Sequence, residues 1–68
     1  METVRVKRPE GGPWLERNLR SYGVFNGRFF VDIDDGYSTP IRVVAELVHP
    51  DDLKYLQEQM KKNEKADN

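Results

Sequence analysis

Asn26-Gly27 stands between two runs of alternating apolar and polar residues, and no other feature constrains the chain as strongly. A two-residue connection of this kind closes a β-hairpin through a type I′ turn, because both central positions need positive φ and Asn and Gly tolerate it. The turn sets a register in which Phe25 faces Arg28, Val24 faces Phe29, Tyr22 faces Val31 and Arg20 faces Ile33. Val24, Phe29, Tyr22, Val31, Arg20 and Ile33 then share one side of the hairpin. Ser21, Gly23, Phe25, Arg28, Phe30, Asp32 and Asp34 share the other. Burying two unpaired carboxylates is costly, so the side with Val24, Phe29, Val31 and Ile33 is the expected core. Phe25 and Phe30 are expected to point outward.

The flanking segments read with the same rules. Thr3 to Arg8 places Val4 and Val6 on one side and Arg5 and Lys7 on the other, as a half-buried strand does, until Pro9, Gly11, Gly12 and Pro13 interrupt it. The basic run Arg5, Lys7, Arg8 reads as a solvated strand face. Trp14, Leu15 and Leu19 fit either a short strand or one helical turn, and the segment is open between the two. Trp14 is expected at the centre of the core, with an exposed stacking role as the alternative. Asp34-Asp35-Gly36 marks the next turn. In the run Ile41 to Val48, Ile41, Val43, Ala45 and Leu47 are expected inward, and Arg42, Val44, Glu46 and Val48 outward. His49-Pro50-Asp51-Asp52 opens a helix, with proline at the first helical position and carboxylates at the positive end of its dipole. Val48 can staple onto Leu53, and Leu53, Leu56, Gln57 and Met60 form a stripe at helical spacing. Lys61 and Lys62 occupy the expected last turn, which ends a domain at 1–63 and leaves a frayed tail at 64–68.

Function classes are limited by what is missing. A chain of 68 residues allows one small domain with little room for an enclosed active site. Without cysteine there is no disulfide, thiolate metal site or thiol nucleophile. No secretory pattern opens the sequence, and no apolar run approaches the roughly 18 residues that cross a bilayer. A cytoplasmic protein without a membrane partner is expected. Asp32, Asp34 and Asp35 before Gly36 lack EF-hand spacing and read as a solvated turn, so neither metal nor cofactor is expected. His49 is the one histidine, stands at a helix start and has no nucleophile beside it. No catalytic residue is assigned, and the protein is read as a non-enzyme.

Charge is unevenly distributed beneath a net −1. Residues 1–30 carry six basic and three acidic side chains, a balance of +3, and residues 31–68 carry five basic and nine acidic, a balance of −4. Such a chain lacks the overall positive potential of a nonspecific DNA binder, yet the arginines of its first half suit phosphate or carboxylate partners. The candidate binding residues lie on the outward side of the hairpin and fourth run, with Phe25, Phe30 and Val44 as anchors and Arg28 and Arg42 as orienting charges. Alternatively, the Trp14 to Leu19 segment or the helix covers this side and makes it a second small core.

The order of strand, strand-like segment, glycine-turn hairpin, glycine turn, strand and terminal helix resembles the small archaeal chromatin proteins. The points of similarity are Thr3-Val4-Arg5-Val6-Lys7, the turn Gly27-Arg28, Asp34-Asp35-Gly36 and Leu56-Gln57 in the helix. The resemblance implies a five-stranded SH3-like barrel closed by a C-terminal helix. It also implies duplex DNA bound in the minor groove by a three-stranded sheet whose apolar side chains wedge between base steps. That family's binding face is rich in Lys, Arg, Ser and Thr, whereas Asp32 and Asp34 stand on the matching strand here, in a chain of pI ≈ 5.7. Two carboxylates facing a phosphate-lined groove would repel it.

The sequence therefore predicts a small, mostly β, α+β domain: an antiparallel SH3-like β-barrel or meander with one C-terminal α-helix. The first expected function is a non-catalytic regulatory or accessory module that binds a protein partner through the aromatic and arginine face. DNA or RNA binding through the same face is the alternative, and a homodimer burying the patch is the third.

Overall fold

The computed structural model describes residues 3–34, 36 and 39–66. Strands β1 (Thr3–Arg8), β2 (Gly11–Phe25), β3 (Arg28–Asp34) and β4 (Ile41–Val44) are followed by a 3₁₀ turn (Ala45–Leu47) and helix α1 (Pro50–Ala66). The strands form one antiparallel meander in the order β1-β2-β3-β4. The chain is mostly β with a C-terminal helix.

β2 is long enough to serve two neighbours. It pairs with β1 from Arg8↔Gly11 to Thr3↔Asn18, then with β3 from Asn18↔Asp34 to Phe25↔Arg28. The segment left open at Trp14 to Leu19 is thus strand, continuous with the hairpin. The Asn-Gly turn forms as expected, with φ of 53° at Asn26 and 76° at Gly27, and it pairs Val24 with Phe29 and Tyr22 with Val31. Beyond Ser21 the expected register fails, because Leu19 and not Arg20 lies opposite Ile33. An extra residue in one strand is a bulge and inverts the side-chain phase. Here it turns Leu19 toward the core and carries Arg20 out to Asp34, at 3.6 Å.

The fourth run also departs from simple alternation. Val43 is buried, but the strand stops at Val44 and the 3₁₀ turn intervenes, with Val48 N–H donating to the Ala45 carbonyl at 3.0 Å. The turn resets the phase, so Val48, expected outward, is 3% exposed. Ile41 keeps its expected side, opposite Ile33, but is 40% exposed at the start of the strand. Val48 then meets Val6 in an isolated antiparallel bridge, and His49 N–H donates to the Arg5 carbonyl at 2.9 Å. These contacts tie β1 to the segment that follows β4. Among the described residues there are four strands rather than five, and no ladder joins β1 to β4.

The core comprises Val4, Val6, Phe29, Val31, Ile33, Val43, Val48 and, from the helix, Leu56. Leu53 and Met60 pack beside it as the helical stripe requires. Val24 was expected inside but is half exposed, because a gap lined by Val24, Gly27, Ala45, Gln57 and Met60 separates the hairpin tip from α1. Trp14 is not central either. It is 39% exposed, with its ring 4.8 Å from that of His49 and the Lys7 ammonium 5.0 Å above it.

His49 caps the helix: Leu53 N–H donates to its carbonyl at 2.9 Å and Asp51 N–H to its Nδ1 at 3.2 Å. Asp52 ties that first turn to β1. It accepts the Arg5 backbone N–H at 2.8 Å and the guanidinium Nε and Nη2 at 3.1 and 2.9 Å, so Arg5 is engaged rather than merely solvated. α1 runs past Lys61 and Lys62 to Ala66. Among the described residues, no helix is long and apolar enough to cross a membrane.

Candidate functional site

Residues directly opposite one another in antiparallel strands share a face. The register therefore builds three rows on the outer side of β2, β3 and β4: Phe25 with Arg28, then Gly23 with Phe30 and Val44, then Ser21 with Asp32 and Arg42. All five candidate residues, Phe25, Arg28, Phe30, Arg42 and Val44, come together there. Neither candidate cover lies over them, since residues 14–19 continue β2 and α1 packs through Leu56 against the opposite side. Phe25 is 63% exposed and Val44 47%.

The two phenylalanines differ in setting. Phe25 stands free at the hairpin end, whereas the Phe30 ring lies across the strand over Gly23, 3.5 Å from where a Cβ would sit. The Arg42 guanidinium covers the same ring at 3.8 Å from its centroid, a cation–π contact. Phe30 is thus half-buried and fixed between its neighbours, not a protruding wedge.

Arg42 is held as firmly. Its Nε donates to Asp32 Oδ1 at 2.9 Å and its Nη2 to Oδ2 at 3.2 Å, while Ser21 Oγ donates to the same Oδ2 at 2.9 Å. These bonds, chiefly that from Arg42, hold the Asp32 carboxyl below the usual aspartate range despite some burial. Asp34 accepts the Gly36 N–H at 3.0 Å and lies near Arg20. Both carboxylates of this face therefore have a cation beside them. Arg28 has no carboxylate partner among the described residues and supplies the face's uncompensated charge.

The arrangement offers an exposed phenylalanine, a rigid guanidinium-on-aromatic platform and an arginine without a carboxylate partner among the described residues. Among the described residues no group of His, Asp or Glu is gathered to hold a metal ion. His49 Nδ1 already accepts a backbone N–H, so the single imidazole serves the helix start. Sequence reasoning missed the concavity of about 290 Å³ between β1 and β4, because its walls come from segments more than thirty residues apart.

No protein-family model, curated protein or solved structure matches this chain. The geometry and chemistry of the face therefore carry the functional reading.

Proposed function

We propose that this protein is a small non-catalytic binding module of the cytoplasm, a regulatory or accessory protein that engages another protein through the outer face of β2, β3 and β4. One observation carries the reading: Phe25 and Val44 stand exposed on an uncovered sheet face beside the Phe30–Arg42 platform. Aromatic and arginine side chains grouped in this way are the residue types enriched at interface hot spots. Phe25, Phe30 and Val44 act as anchors, and Arg28 and Arg42 orient the partner. The scaffold is read as an SH3-like barrel left open along one seam. The long β2 shared between β1 and β3, the Val6–Val48 bridge and the terminal helix support that reading.

Nucleic-acid binding by the same face is the second reading. It is favoured by the pairing of Asp32 with Arg42, which offsets a carboxylate that would otherwise repel phosphate. A titration with duplex and single-stranded DNA and RNA at about 50 mM and then about 200 mM salt, followed by backbone amide shifts, separates the two. The protein-binding reading expects no nucleic-acid binding at the lower salt. It also expects a captured partner that is released by Phe25→Ala and is insensitive to salt. Salt-steep binding that maps to Phe25, Arg28 and Phe30 would overturn it. A concentration series in sedimentation tests whether a homodimer buries the patch instead.

A further inference from the structure

The groove between β1 and β4 is bordered by two unbroken stretches, Val6 to Pro9 on one side and Ile41 to Val44 on the other. Successive strand residues point to opposite faces, so the four consecutive residues of β4 border one cavity only when it runs along that strand's edge. The groove is therefore the open seam of the sheet, floored by Leu15, Ile33 and Leu47. β4 pairs with β3 along one edge, and among the described residues no other backbone segment bonds to its second edge. β1 differs: Asp52, His49 and Val48 occupy its free edge as far as Val6, and only beyond that residue does it run open.

The lining joins an apolar floor to a basic rim. Ile41, at the mouth, is 40% exposed. Lys7 and Arg8 have no carboxylate partner among the described residues, and no described acidic residue lines the groove.

We propose that this seam accepts an extended segment of a partner protein in which apolar and acidic residues alternate, and that the segment adds to β4 as a further strand. Its apolar side chains enter toward Leu15, Ile33 and Leu47, and its carboxylates meet Lys7 and Arg8. The four residues of β4 offer a short ladder, so the floor and rim supply most of the selectivity. A second copy fits poorly as the occupant, because its own β4, Ile41-Arg42-Val43-Val44, brings another cation and no acid to the rim. The seam shares Arg42 and Val44 with the outer face but not Phe25, Arg28 or Phe30, so Phe25→Ala tests the outer face and leaves the seam intact.

The test is a titration of the full isotope-labelled chain with a capped hexapeptide alternating glutamate and valine, and with its lysine-for-glutamate counterpart. Expected are amide shifts confined to Ile41–Val44, Lys7 and Arg8, with the lysine peptide about tenfold weaker. N-methylating alternate residues of the acidic peptide should abolish binding in one phase and spare it in the other, as a strand pairing along a single edge requires. The Lys7→Glu, Arg8→Glu double variant should reverse the charge preference, with unchanged Val31 and Leu56 amides showing that it is folded. Equal affinity for the two peptides, no binding, or shifts at Phe25 and Phe30 alone would overturn the proposal. Concentration-dependent shifts of Ile41–Val44 without peptide would overturn it in favour of a second copy.

Discussion

Asp52 is the buried charged residue among those described, and its three hydrogen bonds all come from Arg5. The guanidinium, with help from the backbone N–H, holds its carboxyl below the usual aspartate range although burial pushes the other way. Asp32 is shifted in the same direction by Arg42 and Ser21. An unfolded aspartate takes up its proton near pH 3.9, above these folded values, so both groups stabilise the fold at higher pH. That stability is lost as pH falls through the folded values. The melting temperature should stay level from about pH 8 to about pH 5 and drop below about pH 4. Asp52→Asn should lower stability by about 2 kcal/mol at neutral pH and flatten part of the acid limb, as thermal melts across pH would show. An acid limb identical to wild type would mean that the Arg5 contact contributes nothing. On the outer face, Phe25→Ala should change stability by less than about 0.5 kcal/mol yet weaken the partner about tenfold, measured by urea unfolding beside a binding titration.

Hairpin and helix ends follow local rules, and these elements were the most legible. Asn26-Gly27 takes the positive φ values that its residue types permit, and the five pairs from Phe25↔Arg28 to Ser21↔Asp32 match the register read from the turn. Nothing lies within 4 Å of a Cβ placed on Gly27, so Gly27→Ala should lower stability by about 1 kcal/mol through backbone strain alone. Urea unfolding measures that loss, and an unchanged midpoint would contradict it. The bulge near Arg20 is less local. Its signal was the cost of placing an arginine opposite Ile33 in the core, which the slip to Leu19 relieves. The 3₁₀ turn at Ala45–Leu47 was hard to read, since Ile41 to Val48 holds no Gly, Pro, Asn or Asp to announce a turn. The chain turns there because Val48 has to reach Val6 across the molecule.

At the scale of the whole molecule, eight buried apolar residues among those described hold one side of the sheet, and Leu56 is the helix's share of them. A domain of this size has about 3–10 kcal/mol of total stability. Leu56→Ala should remove about 2–5 kcal/mol of it. Its melt should be early and broad, with α1 signal and β-sheet signal lost together; a wild-type melting temperature would show that the helix does not hold the core. With the helix on this side, the opposite face of β2, β3 and β4 remains open, and that placement makes the aromatic patch a candidate interface.

The sequence by itself determined the hairpin, its face assignment from Phe29 to Ile33, the capped helix and the class of a small β domain with a terminal helix. It did so because turn stereochemistry, two-residue alternation and capping all act within a few neighbouring residues. Only the tertiary structure decided that Trp14 lies at the rim, that Arg5 reaches Asp52 across a separation of 47 residues, and that β1 and β4 leave a seam. Each of these depends on how distant segments share a limited core, and the energy of that packing is not written in any one stretch of chain.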